Sequence, residues 1–191
     1  MKRIAIFASG SGSNAQNIVE HFLKNKAARV EIILTNKREA YVLERAMKYQ
    51  ISTCIFDKKT LHETNNILHL LNDSKIDLIV LAGFLLLVPK NILEAFPGRI
   101  INIHPALLPK FGGKGMYGNK VHEAVIANHE KYSGITIHYV NEQYDEGDVI
   151  YQKKIELASS ETPESLASKI HALEYEYLPS VIEQVLQSMP R

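Results

Sequence analysis

The sequence predicts an α/β protein whose sheet is mostly parallel, with helices on both faces and an antiparallel strand pair toward the carboxyl terminus. Three observations predict it. Short apolar runs alternate with stretches of helical spacing through the amino-terminal half, the pattern of successive β-α-β units. Residues 78–82 are apolar without a break, as a strand covered on both faces requires. Over residues 134–140 the pattern changes to alternation, with Ile135, Ile137 and Tyr139 set against Thr136 and His138.

Each element follows from its residues. Residues 3–8 are a short apolar strand, and residues 14–24 a helix with its apolar stripe at Ile18, Phe22 and Leu23. Residues 30–34 form a second strand, 41–48 a second helix and 52–56 a third strand. Residues 61–71 read as one helix from the repeat of Leu61, Ile67, Leu68 and Leu71. Residues 89–96 predict a short helix opening on Pro89, whose missing N–H costs nothing in a first turn. Residues 99–102 form a buried strand, and Pro105 holds the residue before it extended. The turn-rich residues 141–147 join strands 134–140 and 148–157 as an antiparallel pair. Thr162, Pro163, Glu164 and Ser165 open a long last helix, in which Pro179 predicts a kink. No repeat, low-complexity tract or linker interrupts the chain, so a single domain over residues 1–191 is expected.

Bulk properties narrow the function classes. The 22 basic and 21 acidic residues lack the excess that general affinity for nucleic acid needs. No run of about eighteen apolar residues occurs to span a membrane, and the start of the chain lacks the apolar length of a signal peptide. The single cysteine, Cys54, excludes an internal disulfide framework and a cysteine metal cluster, and reads as buried strand filler. A soluble, cytoplasmic protein without nucleic-acid or membrane partners is expected.

The residues that carry chemistry cluster at strand ends. Asn102 and His104 are two apart in an extended segment and project side by side. An amide donor beside an imidazole suits acyl transfer: one stabilises a developing oxyanion, the other holds or moves a proton. In a parallel α/β sheet, ligands bind beyond the carboxyl ends of the strands, where this pair sits. Residues 9–14, Ser-Gly-Ser-Gly-Ser-Asn, join the first strand to the first helix. Glycines let such a turn close tightly, and free amides at a helix start attract phosphate. The alternative is a plain turn with Ser13 as the helix cap. A third glycine is missing, since position 15 is Ala15, and the second strand ends in Thr35, Asn36 and Lys37 with no acid for an adenosine ribose. A small phosphorylated sugar fits better than a dinucleotide.

Three further stretches carry alternatives. In the loop after His104, Lys110 is either an anion contact or a solvated charge. The acidic turn of Tyr144, Asp145, Glu146, Gly147 and Asp148 is either solvated or supplies a carboxylate that keeps His104 protonated, with Asp145 and Asp148 both candidates. Residues 85–88 after Gly83-Phe84 are either core or the wall of a slot for a flat heterocycle. His122 and His129 lie two turns apart on an expected helix, too far to share a metal. His21, His62 and His69 lie on expected helix surfaces, and no zinc-type spacing occurs.

Taken together, the glycine-rich residues 9–14, the segment Val80-Leu81-Ala82-Gly83-Phe84, the string Asn102-Ile103-His104-Pro105-Ala106-Leu107-Leu108-Pro109 and the turn at 144–150 resemble the phosphoribosylglycinamide formyltransferases, folate-dependent enzymes of purine synthesis. The resemblance covers essentially the whole chain and implies a Rossmann-like formyltransferase fold. It implies transfer of a formyl group from the co-substrate 10-formyltetrahydrofolate to the amine of glycinamide ribonucleotide, N1-(5-phosphoribosyl)glycinamide, in de novo synthesis of IMP. The products would be formylglycinamide ribonucleotide and tetrahydrofolate. Asn102, His104 and Asp145 would be the catalytic trio. Gly12, Ser13 and Asn14 would hold the phosphate, and His171, Ala172, Leu173 and Glu174 would reach the same substrate. Leu85, Leu86, Leu87, Val88, Asn102, Asn141, Glu142, Gln143, Tyr144 and Asp145 would surround the folate, with no metal and with a monomeric or homodimeric state. Two departures stand out: Leu85-Leu86-Leu87 replaces a common Met-Arg-Ile, removing any arginine contact, and the loop through residues 113–118 is longer than usual. The rivals are a formyltetrahydrofolate deformylase-like hydrolase or a tRNA formyltransferase, whose relatives usually carry a further domain, and a non-catalytic phosphosugar-binding module.

Overall fold

The structure is a computed structural model and describes residues 1–190. In chain order the elements are β1 (Lys2–Phe7), α1 (Ser13–Asn25), β2 (Ala28–Thr35), α2 (Val42–Lys48), β3 (Ser52–Ile55), α3 (Lys58–Glu63), α4 (Asn66–Asp73), β4 (Leu78–Leu81), α5 (Lys90–Ala95), β5 (Ile100–His104), α6 (Asn119–Ala127), β6 (Tyr132–Tyr139), β7 (Val149–Glu156) and α7 (Pro163–Ser188). One seven-stranded sheet runs β3-β2-β1-β4-β5-β6-β7. The strands from β3 through β5 are parallel, β6 lies antiparallel to β5, and β7 antiparallel to β6. This is the mostly parallel sheet with an antiparallel carboxyl-terminal pair that the sequence predicts.

Alternation along the strands explains the layers. Ile4 and Ile6 of β1, with Leu78 and Val80 of β4, face a core shared with α1, α2, α6 and α7. Ala5 and Phe7, with Ile79 and Leu81, face the other core, under α3, α4 and α5. Each such buried aliphatic side chain contributes roughly 1.5–3 kcal/mol of burial energy, which explains why the central strands are apolar throughout. The chain leaves β1 toward β2 and β3, then crosses back to β4 on the other side of β1. The crevice beyond the ends of β1 and β4 is therefore a topological switch point, the expected place for a ligand.

Several expectations need correction. The single helix over 61–71 is two, α3 and α4, separated at Thr64 and Asn65, where Thr64 is extended at φ −132° and ψ 166°. The Thr64 hydroxyl donates to the Thr60 carbonyl (2.7 Å) and accepts from the Asn66 N–H (3.3 Å), closing one helix and opening the next. Leu61, Ile67 and Leu71 are all buried, so one apolar face spans the break. Cys54 is only half-buried, because β3 is the sheet edge. His129 lies beyond α6, in a left-handed conformation at φ 50°. The strand predicted to end at Asn102 runs on through His104. The last helix starts with the expected cap, the Thr162 hydroxyl accepting from the Ser165 N–H and the Ser165 hydroxyl from the Thr162 N–H, and continues past Pro179 to Ser188.

Candidate active site

A cavity of about 510 Å³ opens at the switch point. Its floor is the turn from β1 into α1. Gly12 sits there at φ 69°, and a Cβ on it would overlap the Val42 side chain and come within 2.8 Å of Val42 Cα. Only glycine fits. No side chain caps α1, and its first backbone bond runs from the Gln16 N–H to the Gly12 carbonyl. Ser13 is thus not a cap, and the amides of the first turn stay free to meet an anion. Beside them, the buried Glu174 carboxylate accepts from Asn14 Nδ2 (2.9 Å) and pairs with His171 Nδ1 (3.0 Å). Donating a hydrogen bond to Glu174 holds the His171 pKa above its ordinary value, against the opposing effect of burial.

The wall across from this turn is the end of β5. Asp145 reaches it from the turn between β6 and β7, held left-handed at φ 57°. Its Oδ1 accepts from Asn102 Nδ2 (3.2 Å) and its Oδ2 from the Gly113 N–H (2.9 Å). His104 Nδ1 lies 3.5 Å from Asp145 Oδ2, while His104 Nε2–H donates to the Phe111 carbonyl (2.7 Å). The three residues named for catalysis therefore meet at one wall. Asp148 is exposed, and of the two aspartates Asp145 is the one that faces His104.

The protonation of this group differs from the expectation. Burial pushes the His104 pKa below its ordinary value and outweighs the attraction of Asp145, which acts in the opposite direction. With Nε2–H committed to a carbonyl, the neutral ring turns a bare Nδ1 toward a carboxylate. At 3.5 Å the two groups are within ion-pair reach of each other, and protonation of His104 would strengthen the contact. Burial alone would raise Asp145, but its neighbours His138 and His104 and the Gly113 N–H overcome it and hold the carboxyl below its usual range.

His138 is a fourth member that sequence reasoning did not single out. Its Nδ1–H donates to the Tyr139 carbonyl (2.8 Å), leaving Nε2 to accept from Asn102 Nδ2 at 3.1 Å, and it lies 3.6 Å from Asp145 Oδ1. Pairing β5 against β6 sets Asn102 opposite His138, a register that only the folded sheet reveals.

Other expected contacts divide. Leu85, Leu86, Leu87 and Val88 line the cavity, as do Gln143 and Tyr144. The Leu85 N–H donates to the Ser9 hydroxyl (3.2 Å), which donates to Asn36 Oδ1 (2.6 Å), tying that segment to the glycine-rich turn. Asn141 and Glu142 are exposed and off the cavity, where Asn141 Oδ1 accepts from the Gln143 N–H as a turn former. Ala172 and Leu173 also lie off it, because residues one and two positions after His171 turn away around the helix. Lys110 is no anion contact here: it is exposed and paired with Glu130 at 2.7 Å. Among the described residues, no cluster of three or more His, Cys, Asp or Glu side chains is placed to hold a metal ion, and no helix is long and apolar enough to cross a membrane.

A mostly parallel sheet with an amide, an imidazole and a carboxylate converging beside its switch point fits a group-transfer protein. The family model described as "Formyl transferase" matches residues 2–182, so the chain belongs to the formyl transferase family. The phosphoribosylglycinamide formyltransferase of Bacillus subtilis (strain 168) is 39% identical over 191 residues, covering 97% of this chain and 95% of that protein. The chloroplastic phosphoribosylglycinamide formyltransferase of Arabidopsis thaliana is 38% identical over 96% of this chain, which spans 66% of that relative, just under two thirds of its length. A crystal structure of glycinamide ribonucleotide transformylase 1 from Geobacillus kaustophilus superposes with a TM-score of 0.89 at 36% identity, over 97% of this chain and 99% of that one.

Proposed function

We propose that this protein transfers the formyl group of 10-formyltetrahydrofolate to the primary amine of N1-(5-phosphoribosyl)glycinamide, in the synthesis of IMP. One observation carries the reading. A single cavity has an uncapped helix start with Asn14, Glu174 and His171 on one side, suited to a phosphorylated sugar, and Asn102, His104 and Asp145 on the other. Leu85, Leu86, Leu87 and Val88 supply an apolar strip along the cavity, which fits a flat pterin. The names of the relatives support this reading over a hydrolase or a binding module. A single domain working in the cytoplasm, as a monomer or homodimer and without a metal, completes the proposal.

In the chemistry that fits, the amine nitrogen bonds to the formyl carbon while the carbonyl electron pair moves onto oxygen. The Asn102 N–H now shared with His138 Nε2 turns to that oxygen, because a negatively charged acceptor makes the stronger hydrogen bond. One such donor is worth about 2.7–4 kcal/mol of barrier. The adduct's ammonium gives a proton to the pair of Asp145 and His104, whose Nδ1 then closes on the carboxylate as imidazolium. That proton passes to the folate N10 as the bond from N10 to carbon breaks, so no proton is gained or lost overall. No covalent enzyme intermediate is required, and holding both substrates in one cavity supplies much of the remaining acceleration.

The test is to mix the protein with 10-formyltetrahydrofolate, with and without glycinamide ribonucleotide, and follow tetrahydrofolate. Release that depends on glycinamide ribonucleotide is expected. Release at the same rate without it would favour a hydrolase, and no release in either case would favour a binding module.

A further inference from the structure

His122 on α6 is the one cavity-lining imidazole for which the chemistry above has no use. It is 2% exposed, and neither of its ring nitrogens makes a hydrogen bond among the described residues. Nδ1 is sealed from solvent without a partner, whereas Nε2 keeps access to the cavity. Buried N–H groups without an acceptor are rarer than buried lone pairs without a donor. A proton on Nδ1 would be stranded, so the neutral ring carries it on Nε2, aimed into the cavity. His104, His171 and Glu174 are the titratable groups near it, and burial keeps its pKa below the ordinary imidazole value. Glu174 Oε2 is already engaged by Asn14 and His171, and Asn14 Oδ1 is a second buried group without a partner on the same cavity. Both residues line the phosphosugar side of the cavity, and there His122 Nε2, not the sealed Nδ1 or Asn14 Oδ1, is the unpartnered polar atom a ligand can meet.

We infer that His122 is a binding residue for the acceptor substrate, its Nε2–H donating to an uncharged oxygen that lies between that substrate's phosphate and its amine. A ribose hydroxyl and the glycinamide carbonyl share this chemistry. The inference rests on the proposed formyl transfer and adds a residue to it.

The experiment uses His122→Phe, which removes both nitrogens and keeps a ring in the core, and His122→Gln, whose amide nitrogen reaches where Nε2 stood. Glycinamide ribonucleotide affinity by calorimetry and KM by assay are expected to weaken about tenfold in His122→Phe, the size of one buried hydrogen bond. The folate KM and kcat should stay within about twofold, and His122→Gln should recover most of the loss. An analogue lacking both ribose hydroxyls assigns the oxygen. If a hydroxyl is the partner, wild type loses affinity for the analogue and His122→Phe does not; if the carbonyl is, both lose alike. Unchanged affinity in His122→Phe, no recovery in His122→Gln, or equal weakening of both substrates with a lowered Tm would overturn the inference. These outcomes leave wild-type transfer intact. Wild-type protein that neither binds glycinamide ribonucleotide nor transfers to it would instead overturn the functional reading and this inference with it.

Discussion

Asp145→Asn is expected to lower kcat for formyl transfer about 10³-fold, within the range of general acid–base effects, and to change the folate KM less than about twofold. The substitution keeps the side chain's shape in its left-handed turn but removes the charge that faces His104. Two losses follow. The carboxylate no longer takes the ammonium proton, and burial of His104 loses its largest opposing effect, so that imidazole resists protonation further. Activity should also lose its recovery with rising pH. In wild type the pair must be unprotonated to accept, so the rate falls as acid protonates His104, at a pH below the ordinary imidazole range; the variant should lack this limb. Steady-state kinetics across mildly acid to neutral pH reads both effects, and unchanged turnover would remove Asp145 from the catalytic group.

The second large effect is structural. Gly12→Ala is expected to destabilise the fold by about 3 kcal/mol, lowering Tm by about 10 °C, from left-handed strain plus overlap with Val42. Affinity for the phosphorylated acceptor should fall with it, because relieving the overlap means moving the turn that aims the free amides of α1. Gly98→Ala is the control. Gly98 has nearly the same φ, 65°, but open space around its missing Cβ, so only the strain of about 1 kcal/mol remains. Thermal melts of the two variants together separate conformation from collision. Equal shifts would mean that Val42 yields easily.

The sequence carries the fold where one period dominates. Alternation between apolar runs and helical stripes fixes five parallel strands, because both signals are local. The break between α3 and α4 was invisible, since Leu61, Ile67 and Leu71 keep one apolar face across it. Asn102 and His104 were legible as a pair because their alternation is a property of one strand. His138 was not, because its place opposite Asn102 depends on register between strands 36 residues apart. The choice of Asp145 over Asp148 likewise required the turn that rotates one carboxylate inward and leaves the other exposed. His171 and Glu174 face the cavity while Ala172 and Leu173 do not, a division that helical geometry imposes on a continuous stretch. The state of His104 depends on how deeply it is buried, and composition does not encode depth.

The most direct test of the central claim is the single-turnover rate of formyl transfer on the preformed ternary complex, in Asn102→Ala, His104→Ala, Asp145→Asn and the triple variant. Residues that act as one unit show losses far from additive. Each single variant should fall at least about 10²-fold, with the triple variant close to the worst of them. Rates within about threefold of wild type in all three single variants would mean that the formyl group is transferred somewhere other than this wall of the cavity.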